Sequence, residues 1–118
     1  MELVWCYVTC ASVEEAERIG RAVVEARLAA CANVLPGATS IYRWQDRIET
    51  ASETVLVLKT RAGLVDALGE RIKALHSYTL PCVVALPIAG GDPDYRAWLL
   101  AETAPPPGSE GAEPDGKN

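Results

Sequence analysis

Four cysteines (Cys6, Cys10, Cys31 and Cys82) and a single histidine, His76, are the soft donors of this 118-residue chain. Thiolate sulfur and imidazole nitrogen suit ions such as Cu(I) and zinc. None of their spacings is a C-x-x-C or H-x-x-x-H signature, so any centre has to be assembled by the fold. Cys6 and Cys10 lie in an extended run, roughly 13 Å apart at 3.3 Å per residue, too far to share an ion or a disulfide. A second constellation is Tyr42, Trp44, Lys59, Arg61 and Tyr78, rings and cations suited to an anionic or planar ligand in a cleft. Each feature also has a plainer reading. A free cysteine behaves as a small core hydrophobe, a lone histidine caps a loop, and Tyr42 and Trp44 are the kind of side chain that anchors an interface, with Lys59 and Arg61 balancing a neighbour's carboxylates.

The elements that must position these residues are legible in the pattern. Leu3 to Cys10 is apolar, aromatic or β-branched almost without a break and reads as a central strand. Ser12 with Glu15 forms a capping box, after which Ala16, Ile19, Val23, Ala26 and Ala30 recur at helical spacing through Ala30. Pro36-Gly37 breaks the next apolar segment. Thr39 to Trp44 and Ile48 to Thr60 then alternate around Gln45-Asp46 as a β-hairpin. Ala62 to Leu75 carries an apolar stripe and reads as a second helix, Cys82 to Leu86 as a last strand, and Asp94 to Leu100 as a short terminal helix.

The order is β-α-β-β-α-β plus a helix, an α+β, ferredoxin-like antiparallel sheet with two helices on one face and strand order 4-1-3-2. The first strand has about eight residues and the third about 14, an excess of roughly 20 Å. The hairpin therefore projects beyond its own sheet, and its unpaired edges ask for other subunits. This topology is expected to gather Cys10, Cys31, Lys59, His76 and Cys82 at one end of the subunit. Cys10, His76 and Cys82 form the soft-metal set, with Cys31 two strands further away.

Composition removes several classes. The net charge is −5, and no basic patch of the kind a phosphate backbone requires is present, which argues against nucleic acid. Residues 104–118 hold four prolines, three glycines and no large apolar side chain, so the folding unit is read as 1–103 followed by a disordered tail. The uncharged run Leu3 to Val13 lacks a basic n-region and leads into Glu14, Glu15 and Glu17, unlike a signal peptide. The uncharged run Ala74 to Gly91 is interrupted by Pro81, Pro87, Gly90 and Gly91, unlike a membrane span. The expected compartment is the cytoplasm, with reduced thiols. No G-x-S-x-G, Walker loop, G-x-G-x-x-G or H-E-x-x-H is present, and the chain is read as a non-enzyme.

Together, Leu28 to Asn33, Pro36-Gly37, Ser40-Ile41-Tyr42-Arg43-Trp44, Lys59-Thr60, His76-Ser77-Tyr78-Thr79-Leu80-Pro81, Ala85 to Ile88, Tyr95 and Trp98 resemble the divalent-cation tolerance family CutA. The resemblance implies a tight homotrimer of ferredoxin-like subunits, similar in architecture to the PII signalling proteins, with no reaction attached and with copper as the metal most often linked to the family. The function expected from it is homeostatic or protective binding of copper or other divalent or soft ions. The alternative is a PII-like sensor or adaptor whose intersubunit cleft takes a small metabolite or partner protein. Ser77, Thr79 and Cys82 stand where the family pattern commonly has Pro, Glu and Glu. Two hard carboxylate ligands are thus missing, and Cys82 shifts any centre toward softer metals.

Overall fold

A computed structural model describes residues 2–104. The expected tail, apart from Ala104, lies outside the described residues. Strands β1 (Leu3–Cys10), β2 (Cys31–Trp44), β3 (Arg47–Arg61) and β4 (Val83–Pro87) form one antiparallel sheet in the order β2-β3-β1-β4, the order expected. Helices α1 (Val13–Glu25) and α2 (Val65–Leu75) join them, and α3 (Pro93–Glu102) follows β4.

Period-two patterning sorts the side chains of the sheet into two faces. On β3, Thr54, Leu56, Leu58 and Thr60 are buried, whereas the odd-numbered residues between them are only half-buried. Leu56 and Leu58 form the main core with Cys6, Val8 and Cys10 of β1, Ile19 and Val23 of α1, and Leu68 and Ile72 of α2. α1 sits close on the sheet, because a Cβ at Gly20 would lie 2.9 Å from the Ala32 Cβ. A smaller cluster of Leu3, Ala30 and Leu99 joins α3 to the start of β1.

β3, β4 and α3 differ from expectation by one or two residues at their ends, and the larger departures lie at three places. α1 ends at Glu25 rather than near Ala30, because Arg27 takes a left-handed conformation (φ 61°), and the Leu28 N–H reaches back to the Val23 carbonyl at 2.9 Å. This is a Schellman-type stop built without glycine. Pro36-Gly37 is a bulge within one continuous strand rather than a break. Leu35 pairs Val55 and Ala38 pairs Glu53, so two residues of β2 face one of β3, and Gly37 takes the required positive φ of 91°. The helical segment after β3 opens with a 3-10 turn, Ala62–Leu64.

The hairpin projects as its length demanded. β1 pairs with Thr54 to Arg61 only, so Arg47 to Glu53 pair with β2 alone. The turn residues Gln45 and Asp46 are both left-handed (φ 50° and 65°), matching the right-handed twist of the two strands. The subunit accordingly measures 50 × 30 × 24 Å.

Candidate functional site

The two constellations are rearranged by strand direction and by face. β1 and β3 are antiparallel, so the end of β1 lies beside the middle of β3. Cys10 pairs Thr54, whereas Lys59 pairs Trp5 and Cys31. Cys31 and Lys59 are therefore about five rungs, or roughly 17 Å, from Cys10 along the sheet, and the expected gathering of all five residues at one end is corrected. There Cys31 Sγ lies 3.6 Å from the Tyr95 hydroxyl, and Lys59 Nζ donates to Asn33 Oδ1 at 3.1 Å. Arg61 is drawn away from any cleft: its Nε donates to Thr103 Oγ1 at 3.0 Å and its guanidinium to the Leu100 carbonyl, fastening the end of α3.

Cys10 and Cys82 share an end but not a face. Cys10 is fully buried in the core under the helices. Cys82 follows the pairing of Val8 with Val83 and lies beside Thr9; its thiol faces the Tyr7 carbonyl at 3.9 Å. With Tyr7 and Thr9 it lines a cavity of about 590 Å³ on the opposite face, turned away from α1 and α2; α3 packs on that face only at its other end.

What Cys10 meets under the helices is Glu15 and His76, the ligand atoms of all three lying within 4.8 Å of one another. Glu15, at the first turn of α1, holds two chain segments with one carboxylate. Its Oε1 accepts the Ala11 N–H at 2.9 Å and its Oε2 the Ser77 N–H at 2.7 Å. Burial opposes its ionisation, but these hydrogen bonds outweigh that and hold the carboxyl below its ordinary value. The His76 side chain is fully buried. Its Nε2 faces the Thr9 carbonyl at 2.8 Å and must carry the proton, and its Nδ1 accepts the Tyr78 N–H at 3.0 Å. Both nitrogens are thus engaged in a neutral ring, and Glu15 Oε2 at 3.8 Å is a neighbour rather than a salt-bridge partner. Burial first, then the Glu15 and Glu53 charges, push the Cys10 thiol up to about 12. A thiol that keeps its proton and an imidazole with no free lone pair do not fit a metal as they stand. This group locks the loop after α2 onto the end of β1.

The face turned away from α1 and α2 carries the accessible chemistry. Tyr42, Trp44 and Tyr78 line the 590 Å³ cavity together with Cys82 and Glu53, a residue that sequence patterning alone does not single out on an alternating strand. The bulge explains how Tyr42 and Trp44 arrive there. Before it, odd-numbered residues of β2 share this face; after it, the pairing of Ala38 with Glu53 turns Ser40, Tyr42 and Trp44 onto the same side. The Tyr78 hydroxyl donates to Glu53 Oε2 at 2.6 Å. Burial, followed by the Glu53 charge, raises the pKa of Cys82.

A family model described as CutA1 divalent ion tolerance protein matches residues 4–102. The chain belongs to this family. It is 50% identical over 96 residues to the divalent-cation tolerance protein CutA of Thermus thermophilus, covering 81% of this chain and 93% of that one. The solved structure of a divalent cation tolerance protein from Thermus thermophilus superposes with a TM-score of 0.84 at 49% identity, over 88% of this chain and 100% of the other. CutA from Xylella fastidiosa gives a TM-score of 0.85 at 42% identity with the same coverage of both chains. The rice protein CutA 1, chloroplastic, is 43% identical over 97 residues, and the match covers 82% of this chain but 55% of that longer protein. Neither the family name nor these names carries a reaction. Among the described residues no helix is long and apolar enough to cross a membrane.

Proposed function

We propose that this chain acts in the cytoplasm as a homotrimer that binds copper or another soft or divalent ion in a homeostatic or protective role. Assembly is supported by the sheet face turned away from α1 and α2, where Leu35, Val84 and Leu86 are exposed, and by the projecting hairpin, where Ile41 is 72% exposed and Ile48 is exposed too. A monomer gains nothing from such a surface, and the free edge of β2 invites pairing. The observation that carries the metal reading is the placement of Cys82, a half-buried thiol sharing an open cavity with the Glu53 carboxylate. A soft ion binding there displaces the thiol proton and gains a sulfur and an oxygen donor. Cys31 offers a separate thiol at the other end, while Cys10 and His76 serve the ion indirectly by holding the loop that bears Tyr78. Native mass spectrometry after Cu(I) loading from a competing chelator tests this. The wild-type trimer should retain copper in whole-number ratio and Cys82→Ser should lose it; copper retained undiminished by Cys82→Ser would overturn the assignment.

A second reading, a PII-like sensor or adaptor, is favoured by the aromatic rings of Tyr42, Trp44 and Tyr78 around the same cavity, which is large enough for a small metabolite.

A further inference from the structure

We infer that the cavity framed by Tyr7, Tyr42, Trp44, Tyr78 and Glu53 is a site for a small organic cation of the alkylammonium class, recognised by cation–π contact and one carboxylate. The inference rests on the second reading, that this cavity takes a small ligand, and adds the ligand's charge. Sequence patterning joins the aromatics to Lys59 and Arg61, which would select an anion. The antiparallel register removes both: Lys59 lies at the far end of the sheet, held by Asn33, and Arg61 is bonded to the end of α3. Among the described residues no lysine or arginine lines the 590 Å³ cavity, whereas four aromatic rings and one carboxylate do.

The charge balance inside the cavity points the same way. Glu53 takes part in none of the ion pairs found among the described residues. Its hydrogen bond from Tyr78 orients the carboxylate but does not neutralise it, and further lone pairs remain free to meet a cation. After burial, Glu53 is also a reason why the protons of Tyr78 and Cys82 are held more tightly than usual. A compact quaternary ammonium suits such a place, because its methyl groups pack against ring faces without requiring hydrogen-bond acceptors. Thr9, Ser40 and Ser77 add hydroxyls at the wall for a polar substituent on the same molecule.

Three probes of one shape but different charge decide the matter on the full-length assembled protein: choline, its neutral isostere 3,3-dimethylbutan-1-ol, and the anion 3,3-dimethylbutanoate, titrated by NMR. Choline should bind at least ten-fold more tightly than the alcohol, and the anion should bind least. Glu53→Gln should erase the preference for choline over the alcohol, Trp44→Leu should weaken both, and Lys59→Gln should change neither. Native mass spectrometry of each variant separates loss of the site from loss of assembly, with Glu53→Gln, a near-isosteric change, as the informative variant should Trp44→Leu disturb the trimer. Tighter binding of the alcohol or the anion would overturn the charge assignment while leaving a ligand cavity in place. Absence of binding by all three would overturn the proposal together with the reading on which it rests. Cys82→Ser separates this site from metal uptake, since it should remove copper and spare choline.

Discussion

The two faces of the sheet use the same residue types for opposite ends. Under the helices, Cys6, Cys10 and His76 are closed off, the thiols as small apolar packing and the imidazole with both nitrogens bonded. On the other side Cys31 and Cys82 remain half-buried, and Tyr42, Trp44 and Glu53 surround open space. Cys10 and Cys82 are near neighbours along adjacent strands, yet one is fixed by the core and the other is available to a ligand. Side-chain alternation, not distance along the chain or residue identity, decides which donors can react.

The largest contrast should come from trimming one leucine on each face. Leu58→Ala removes a fully buried side chain opposite Cys6 and should cost the subunit about 2–5 kcal/mol in guanidinium unfolding. Leu35→Ala, at a side chain 49% exposed, should leave the subunit within about 0.5 kcal/mol and instead shift the assembly toward smaller species in native mass spectrometry. Equal losses of subunit stability from the two changes would break the distinction between a packing face and an assembly face.

Next in size is the lock beneath the helices. Glu15→Gln keeps the shape but weakens two hydrogen bonds to a charged acceptor, and should cost about 1.5–3 kcal/mol at neutral pH. The folded Glu15 carboxyl titrates below its unfolded value, so its stabilisation is complete above the unfolded range and drains away as the pH falls through the folded one. Denaturation midpoints measured from neutrality downward should thus fall more steeply for wild type than for Glu15→Gln below the usual carboxylate range. Parallel acid limbs would show that Glu15 is not the titrating clamp.

The smallest effect is kinetic and leaves the fold untouched. Iodoacetamide at mildly alkaline pH should modify Cys6 and Cys10 only as fast as the subunit unfolds, because both are fully buried and Cys10 holds its proton up to about 12. Peptide mapping that found Cys10 labelled ahead of Cys82 would reverse the two faces.

Much of this architecture is legible in the chain, because alternation, capping and the turn at Gln45-Asp46 are local signals. The strand order followed from the number and kinds of elements. What local pattern does not convey is direction and phase. Cys10 and Lys59 end their strands in sequence, but antiparallel pairing sets those ends at opposite edges. The alanines from Ala26 to Ala30 prolong a helical rhythm past the point where Arg27 stops the helix. Glu15 is visible as a capping residue, although its carboxylate reaches Ala11 and the distant Ser77 rather than Ser12. Glu53 carries no mark of its own, since acidic residues on an exposed strand are common; its role arises from Tyr78, which the fold brings to it.

The bulge at Pro36-Gly37 gives β2 something like a reading frame. One extra residue there sets which side of the sheet every residue of the arm from Ala38 to Trp44 presents. Loss of a single residue at that point would leave the composition of the arm unchanged and turn it over, sending Tyr42 and Trp44 away from the cavity and Ile41 and Arg43 into it. Among chains of this kind, the count of residues between Leu35 and Ala38 should therefore vary less freely than the identity of any residue it positions.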